Sequence, residues 1–596
     1  MWDRLLSSRW CIAIAALLGM LLSAPGLNSG LMGDDYLHWW LLTGRGENAQ
    51  PGSSFGLFTF ADGQPARIQA MIDSGQLVWW ASETLRISFW RPLAEWSQWI
   101  DYRLWPDSPF LAHVHSLLLY GVMVLLVGKL FKALGQIHGD EGGRLSGLAT
   151  LLFATNMLHV FAVSWLACRN QLVAGILVAL TLLGYHHWRN GKGAMYGVLA
   201  ALGLVIALLC AEASIQIAAY LFAYALFLEQ DKPLIKRLIA LLPFAIIVVV
   251  WKVTHGQLGY GSTGSPGYVD PSSNPAGFLS SMMLRLPALM LAQWYGVSSV
   301  AFELLDRQTQ IIYASVGAAA LLLLAWAMQR LGGFKSPLAR FFALGSVLAL
   351  VPACAGYPFD RLTLNADIGA SGLLAGVLLS VWAHRKQLQG GTLRLAKYLL
   401  LLVGFIHVLL FPVAKVALAA MMNPITRAGE AAVPLAMPEP TPGQEAHYLL
   451  LNSPSAEAAY YIPLTRSYHG KANPTTLRAI GPDNQAMTLS RVDENTIRLV
   501  APKGFKNTLT RDFQKEPFQA GDTVKMGDIL ITVEAVTQAH VPTTALFRFP
   551  DSVDQAKWHF LTWSEDGVQR LVPPAPGQSV EIPTYDLQKA AMKYME

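Results

Sequence analysis

Charged residues are scarce in this chain of 596 residues: they make up 14% of it, against 53% hydrophobic residues. Soluble domains carry about 25% charged residues. The shortage is concentrated in roughly the first 420 residues, where long apolar runs recur. This pattern excludes a chain that is soluble throughout. It predicts a polytopic α-helical membrane protein followed by a soluble tail large enough to have its own core.

Cysteine is nearly absent, and none lies in the C-terminal tail. The four residues are Cys11, Cys168, Cys210 and Cys354, each in or beside an apolar run. This distribution argues against a disulfide framework and offers no cysteine metal site. The formal net charge is +5, but the basic residues form no patch interleaved with aromatic residues. We therefore expect no nucleic-acid partner.

Apolar runs long enough to cross a membrane recur about eleven times, since a spanning helix needs about 20 mostly apolar residues. They lie at residues 10–32, 111–131, 146–167, 171–187, 194–211, 213–229, 235–253, 310–329, 340–356, 367–384 and 396–420. Residues 277–300 form a further apolar stretch, which Arg285 and Pro287 interrupt. We interpret this stretch as re-entrant or interfacial.

Basic residues in the short loops set the expected orientation. With the N-terminus inside, every inner loop carries Lys or Arg, for example Lys129 and Lys132 in one loop and Arg385 in another. This topology predicts a multi-pass protein of the inner (plasma) membrane, with a cytoplasmic N-terminus and an extracytoplasmic, periplasmic tail. The basic start around Arg4, before the apolar residues 11–22, is similar to a secretory signal. The many later spans favour an uncleaved anchor.

Two long outer loops follow from this topology. Residues 33–110 are rich in tryptophan, which favours the membrane–water interface, so we expect short amphipathic helices on the bilayer surface. Residues 254–309 open with a glycine-rich segment, which is typical of a mobile loop and suggests a substrate lid. The predicted membrane domain, including the first of these loops, covers residues 1–422.

The hydrophobic period changes after a Pro- and Ala-rich linker at residues 423–445. Short alternating segments bounded by turn residues predict an all-β, sandwich-like domain at residues 446–596. The predicted strands lie at 447–452, 476–480, 486–492, 496–501, 529–536, 544–549 and 558–563. Residues 586–595 indicate a short terminal helix. The histidines of this domain show no metal-ligand spacing.

An acidic pair, Asp34-Asp35, directly follows the first apolar run. Adjacent carboxylates at a membrane surface are costly, and ionisable residues in such places usually serve a site. A carboxylate there is suited to act as a general base. The alternative is that the pair caps a helix beginning at Tyr36, because Asp favours helix N-caps.

The order of polar motifs along the first 420 or so residues resembles the GT-C superfamily of membrane glycosyltransferases. It is most similar to the protein O-mannosyltransferase-like and tetratricopeptide-associated branch. The motifs are Asp34-Asp35, Arg91-Pro92-Leu93, the His113 and His115 region, Trp165 with Arg169, Glu212 between alanines, and Arg361-Leu362-Thr363-Leu364. The chain departs from the branch in having Asp-Asp for Asp-Glu, no tetratricopeptide array and a β-rich tail.

The resemblance implies an inverting transfer of sugar from a polyprenyl-phosphate donor to an acceptor hydroxyl. Asp34 would be the base, with Asp35 as its orienter or substitute. The leaving phosphate needs cationic donors, and the resemblance gives that part to Arg91, Arg169 and Arg361, with His113 and His115 as lesser candidates. Membrane lipid is the second expected partner, and the acceptor stays open among glycan, protein and lipid. Some members of the superfamily use a divalent metal, so a metal also stays open, although no ligand set stands out.

Structural roles are open for each of these residues. Arg91 is also suited to anchor at the interface, and the two histidines to bond backbone at the bilayer surface. Arg169 and Glu212 are candidates for an intramembrane ion pair, and Arg361 for a surface pair with Asp360.

Two further functions also remain open. One is a transporter or flippase of lipid-linked glycans, although the ionisable residues cluster at one face and no internal repeat is visible. The other is a non-catalytic envelope assembly protein that uses its tail to hold a partner.

Overall fold

The computed structural model describes residues 5–45, 56–137, 139, 143–455, 458–507, 509–586 and 589. The chain divides into two compact units. The first comprises residues 1–30, 90–258 and 269–422, and the second comprises residues 31–89, 259–268 and 423–596. The predicted terminal helix at 586–595 falls almost entirely outside the described residues.

The first unit is a bundle of apolar helices. Among the described residues, nine helical segments are long and apolar enough to cross a membrane. They are Cys11–Asn28, Pro109–Gln136, Leu166–Arg189, Leu234–Gln257, Pro275–Tyr295, Arg307–Arg330, Pro337–Ala355, Ala366–His384 and Gly390–Ala432. The bent pair Arg144–Thr155 and Met157–Ser164 makes a tenth if it counts as one span. The predicted multi-pass helical fold is confirmed.

Two shorter helices lie at the predicted apolar runs 194–211 and 213–229. Ala194–Leu208 and Glu212–Phe227 are apolar but shorter than the nine. A further helix, Pro92–Leu104, is amphipathic and lies between the first two spans along the chain. Its Trp96 and Trp99 are 54% and 39% exposed, as expected for tryptophans at a membrane interface.

The segment predicted to be re-entrant forms an unbroken helix, Pro275–Tyr295, in spite of the proline within it. Three residues in or beside this helix bond to residues 354–360, at the end of the span Pro337–Ala355 and just after it. Before the helix, the N–H of Val269 bonds to the carbonyl of Ala355 at 2.7 Å. In the middle, Arg285 donates to the carbonyl of Cys354 at 3.1 Å.

The third contact follows the helix, where the N–H of Ser299 bonds to the carboxylate of Asp360 at 2.7 Å. A helix of 21 residues is about 30 Å long, yet both flanks of this one return to residues 354–360. By length and apolarity this helix also qualifies as a span, so the re-entrant or interfacial interpretation stays a prediction.

A polar cluster lies in the interior of the bundle. Lys415 is fully buried, and its ammonium group donates to the hydroxyl of Tyr120 at 2.7 Å and to the carbonyl of Ala154 at 2.8 Å. The Tyr120 hydroxyl also lies 3.1 Å from Nδ1 of His159. His159 Nε2 and Asp367 Oδ2 are 3.3 Å apart without the alignment of a hydrogen bond. The cluster therefore ties several helices together through polar contacts.

The second unit is built mainly of β-strands. They are β1 Thr59–Asp62, β2 Arg86–Ser88, β3 Gly261–Thr263, β4 His447–Leu450, β5 Thr476–Ala479, β6 Met487–Arg491, β7 Thr496–Val500, β8 Thr523–Met526, β9 Ile529–Val536, β10 Pro542–Arg548, β11 Trp558–Ser564, β12 Gly567–Leu571 and β13 Ser579–Ile582. The seven segments predicted as strands all contain one. Six more were not predicted: β8, β12 and β13 in the tail, and β1, β2 and β3 in the two long loops.

These strands form three sheets. One has six antiparallel strands in the order β13-β6-β7-β10-β9-β8. A second has the order β12-β11-β4-β5, with β4 parallel to both neighbours. The third joins β1, β2 and β3 from the two long loops. The glycine-rich segment thus contributes an edge strand, and its role as a lid stays a prediction.

The core of this unit contains two tryptophans from the first long loop. Trp79 and Trp80 are both 0% exposed. Trp79 lies 5.0 Å from the ring of Phe505 between centroids, and its indole N–H donates to the carbonyl of Ile480 at 3.2 Å. The expected interfacial position is therefore wrong for these two residues. Burying such large rings in a β-rich core removes more apolar surface from water than half-immersion at an interface.

Among its described residues the unit also holds three complete helices, Asp34–Thr43, Pro65–Ser74 and Ala458–Tyr468. The last departs from the all-β expectation for the tail. Its aromatic residues and internal Pro463 disfavour a helix by local propensity. Tertiary contacts offset this: the buried guanidinium of Arg466 donates to the carbonyls of Pro434 at 2.8 Å and Met437 at 3.1 Å.

Candidate functional site

The acidic pair opens the helix Asp34–Thr43 in the second unit, two residues earlier than the capping alternative assumed. Gly33 precedes it with φ of +53° and ψ of −114°, a conformation that glycine adopts with little strain. Two carboxylates in the first turn also interact favourably with the helix dipole. Asp35 is 1% exposed, and it accepts a hydrogen bond from the backbone N–H of Met32 at 3.0 Å. Asp35 therefore stabilises the helix start.

Asp34 has a different environment. It is part-exposed, and its carboxylate accepts a hydrogen bond from the hydroxyl of Tyr461 at 2.5 Å. The neighbouring Tyr460 is also close, since burial and the nearby Asp34 raise the pKa of the Tyr460 phenol. The pair is thus divided into a buried carboxylate bound to the backbone and a more accessible carboxylate bound to a tyrosine.

The basic candidates belong to the first unit, where Arg91 forms an ion pair with Glu212. The two side chains meet at 2.7 Å, and the same carboxylate accepts the backbone N–H of Trp90 at 2.7 Å. The arginine and the glutamate are 19% and 22% exposed. The contact fixes the start of the helix Pro92–Leu104 against the turn at Glu212. The alternative pairing of Glu212 with Arg169 is wrong.

Arg169 is instead the centre of a buried ion cluster. Its guanidinium is 1% exposed and pairs with Asp101, which is also buried. It donates further to the hydroxyl of Ser116 at 2.9 Å and to the carbonyl of Ala112 at 2.8 Å. The other oxygen of Asp101 lies 2.7 Å from Nδ1 of His115. We define Arg169, Asp101 and His115 as the Arg169 cluster.

The two histidines differ in exposure. His113 is 1% exposed, and its Nε2 lies 2.8 Å from the carbonyl of Gly30. His115, in the Arg169 cluster, has a side chain that is 28% exposed. The backbone contact expected as an alternative thus holds for His113, whereas His115 bonds to a carboxylate.

Arg361 has another kind of environment. Its guanidinium lies 4.7 Å from the ring centroid of Trp165 and 4.2 Å from that of Phe359, which are stacking distances. Its Nη1 is buried and has no hydrogen-bond partner among the described residues. Asp360 accepts hydrogen bonds from Ser298 and Ser299, so the simple surface pair of Asp360 with Arg361 is wrong.

Arg361 also lines a small cleft. The residues around it are Gln171, Ala174, Ala211, Ala213, Gln216, Leu362, Leu364 and Asn365. Gln216 and Asn365 bond to each other at 3.0 Å, whereas the buried carbonyl oxygen of Gln171 has no partner in the described part of the chain. Arg361 Nη1 and the Gln171 side-chain oxygen are thus two buried polar atoms of cleft-lining residues that lack a partner among the described residues. Buried polar groups normally find partners, so such atoms indicate a place where a ligand or water binds.

The structure brings some of the predicted residues together. Arg169 and His115 share Asp101, whereas Arg91 and Arg361 each have separate partners. No group of three or more His, Cys, Asp or Glu side chains within the described ranges is arranged to hold a metal ion. Metal dependence thus stays open.

Three functional candidates were missed by sequence reasoning. Asp101 was not among the predicted site residues, and Tyr461 was taken as part of a β domain. Lys415 lies inside an apolar run, and an isolated Lys in a span is a recognisable sign of a polar contact in the bundle. No comparable sequence signal identifies Tyr461, because its partner is 427 residues away.

No family model matches the chain, and no curated protein matches it. Among solved structures, the chain is similar to the archaeal oligosaccharyltransferase AglB from Archaeoglobus fulgidus, in complex with an inhibitory peptide and a dolichol-phosphate. The identity is 11% and the TM-score 0.35, over 79% of this chain and 65% of that one. It is also similar to ArnT from Cupriavidus metallidurans bound to undecaprenyl phosphate, at 14% identity and TM-score 0.36, over 79% and 88% of the two chains.

A further structure of the Archaeoglobus fulgidus oligosaccharyltransferase, in complex with Zn and sulfate, matches at 12% identity and TM-score 0.35 over 78% of this chain. The chain spans 65% and 62% of the two oligosaccharyltransferase structures. At these TM-scores no activity is carried over from them.

Proposed function

We propose that the chain is an inverting glycosyltransferase that moves a sugar from a polyprenyl-phosphate donor to an acceptor hydroxyl at the outer membrane face. The observation that carries the proposal is the Arg361 cleft. The guanidinium is stacked on two aromatic rings, which hold its plane, and its buried Nη1 has no hydrogen-bond partner among the described residues. Arginine N–H groups are well suited to the oxygens of a phosphate. This arrangement suits a phosphate leaving group better than a surface ion pair does.

The proposed chemistry needs a base for the acceptor and a cation for the leaving group. Asp34, part-exposed and hydrogen-bonded by Tyr461, accepts the proton of the acceptor hydroxyl. The acceptor oxygen attacks the anomeric carbon, and the bond from that carbon to the phosphate oxygen breaks with its electron pair. Arg361 stabilises the negative charge that develops on the departing polyprenyl phosphate. Asp35 acts by fixing the helix that presents Asp34.

The other basic candidates have secondary parts in this proposal. Arg91 and His115 are partly exposed but already paired with carboxylates. Arg169 and His113 are almost fully buried with donors engaged. We therefore assign phosphate contact first to Arg361 and consider Arg169 and His113 as supports of the surrounding fold.

The direct test is to replace Asp34 with Asn in the purified full chain and to assay transfer from polyprenyl-phosphate sugars to candidate acceptors. Removing a general base typically lowers the rate by about 10²- to 10⁴-fold. We expect a loss of this size with donor binding retained. Asp528→Asn is a matched control, because Asp528 is a partly exposed aspartate of the same unit whose partner is Arg478.

Two results would contradict the proposal. One is turnover of Asp34→Asn at the wild-type rate, which removes Asp34 from the base role. The other is movement of labelled lipid-linked glycan across liposomes by the wild-type chain with no sugar transferred, which would favour the transporter alternative.

A further inference from the structure

The tail helix Ala458–Tyr468 contacts the helix that begins with the acidic pair, and both belong to the second unit. The Tyr468 ring meets Tyr36 and Trp39 edge-on, with centroids 5.5 Å and 5.1 Å apart. Tyr461 meets Asp34 through its hydroxyl at 2.5 Å. The two helices therefore contact each other through aromatic rings. In addition, the Tyr461 hydroxyl bonds to the carboxylate that we assign as the base.

The tail helix is held firmly in the unit. Arg466 is 1% exposed, and its guanidinium donates to the carbonyls of Pro434, Met437 and Ala472 at 2.8, 3.1 and 2.7 Å. Several hydrogen bonds from one buried guanidinium fix the helix on the linker before the tail sheets. Tyr461 is thus presented to Asp34 by an anchored element.

A tyrosine donor has a definite chemical effect on a carboxylate. It stabilises the ionised form, and it occupies one lone-pair direction so that the remaining ones are oriented. Asp34 is thus bound by a side-chain hydroxyl, whereas the buried Asp35 is engaged with backbone. This difference distinguishes two carboxylates that are adjacent in sequence.

We infer that Tyr461 is a positioning residue for Asp34, so that the C-terminal domain is a part of the reaction site. This inference rests on the proposed function for its catalytic meaning. The hydroxyl of Tyr461 orients the carboxylate and keeps it ionised. Deletion of residues from about 440 onward would accordingly remove a component of the site and not only an accessory domain.

Other ionisable groups lie around this contact in the same unit. Asp35 is adjacent on the same helix, and Tyr460 is adjacent to Tyr461 on the tail helix. Glu430 accepts a hydrogen bond from Tyr36 and lies 3.2 Å from the ring nitrogen of His469. The experiment must therefore measure the titration of Asp34 separately from that of its neighbours.

The experiment compares wild type with Tyr461→Phe, which keeps the ring and removes only the hydroxyl. Carboxyl groups are labelled with a water-soluble carbodiimide and an amine across a pH series, and Asp34 is quantified by peptide mass spectrometry. Carbodiimides react with the protonated carboxyl. Losing a hydrogen bond to a charged group destabilises the ionised carboxylate, so the pH at which it titrates rises by about one unit or more. We expect the labelling midpoint, and the acid limb of the transfer profile, to move to higher pH by that amount.

Tyr468→Phe is the matched control, because the Tyr468 ring meets Tyr36 and Trp39 edge-on and Phe keeps these ring contacts. It should leave the labelling midpoint unchanged. A midpoint in Tyr461→Phe equal to that of wild type would overturn the inference, whatever the activity.

The two proposals fail in different ways. A shifted labelling midpoint without transfer by any form of the protein would contradict the glycosyltransferase proposal, while it supports the control of Asp34 by Tyr461. A shifted midpoint with an unchanged pH profile of transfer would overturn the catalytic meaning of the contact.

Discussion

The Arg169 cluster and the Arg361 cleft are two regions of the helical unit that centre on the same type of residue. Arg169 is desolvated, and Asp101, Ser116 and Ala112 take up its donors. Arg361 is stacked on two rings and keeps a buried N–H group with no acceptor among the described residues. A buried arginine with engaged donors supports a fold, whereas one with a spare donor can bind a ligand.

The difference follows from the neighbours and not from the arginines themselves. A buried carboxylate within reach of Arg169 compensates the loss of hydration of both charges. Near Arg361 the only carboxylate next in sequence, Asp360, is engaged by Ser298 and Ser299. The guanidinium is therefore left to aromatic rings, which attract its charge without using its N–H groups.

The largest expected effect comes from breaking the Arg169 cluster. Arg169→Met leaves the buried carboxylate of Asp101 without its cation, and such a loss typically costs about 3–5 kcal/mol. We expect a markedly lower thermal unfolding temperature of the purified protein in detergent. Arg361→Met is the control and should change stability by less than about 1 kcal/mol. Equal destabilisation by the two changes would show that Arg169 and Arg361 do not differ in their contribution to stability.

A second substitution tests whether the destabilisation by Arg169→Met arises from the uncompensated charge of Asp101. Asp101→Leu combined with Arg169→Met removes both charges, and replacing a buried pair by apolar residues is often nearly neutral. We expect the double variant to recover about 2–4 kcal/mol relative to Arg169→Met alone, measured in the same unfolding assay. If the double variant is no more stable than the single one, the cluster contributes by shape and not by charge.

The third change concerns the cleft. Arg361→Met should weaken binding of polyprenyl phosphate by about 10- to 100-fold, the value of a charged hydrogen bond, in a titration with the lipid phosphate in detergent. Arg361→Lys should restore only part, because Lys lacks the planar fork. Arg103→Met is the matched control, since Arg103 is an exposed arginine 5.6 Å from the Trp99 ring centroid. Unaltered lipid affinity in Arg361→Met would remove the phosphate role.

The smallest expected effect is that of His115→Gln. The imidazole is 28% exposed and contacts only one oxygen of Asp101, and Gln can still donate a hydrogen bond. We expect a loss of about 0.5–1.5 kcal/mol in stability and an unchanged affinity for lipid phosphate. A larger effect on lipid binding than on unfolding would indicate that His115 contacts the lipid phosphate and does not only support the Arg169 cluster.

Much of the architecture was accessible from the sequence. Apolar runs predicted the helices, because a bilayer requires about 20 apolar residues for each span. Alternating patterns between turn residues predicted seven strands of the tail. Local signals were weaker where tertiary contacts override propensity, as in the helix Ala458–Tyr468 with its internal proline.

The candidate site was accessible only in part. The sequence singled out Asp34 and Asp35 through their position after the first apolar run, and Arg361 through the superfamily resemblance. It did not separate Asp34 from Asp35 by environment, and it paired Arg169 with the wrong carboxylate. Long-range ion pairs depend on which helix faces meet, and several carboxylates along the chain were equally plausible partners.

The sequence by itself thus determined that the chain crosses a membrane repeatedly, where seven of its strands lie and that an acidic pair follows the first span. These properties follow from local hydrophobicity and local turn chemistry. Only the tertiary structure decided that Tyr461 bonds to Asp34, that Trp79 and Trp80 belong to a β-rich core, and that Asp101 partners Arg169. Such contacts join residues that are distant along the chain, and their energies depend on burial and geometry that arise only when the elements pack.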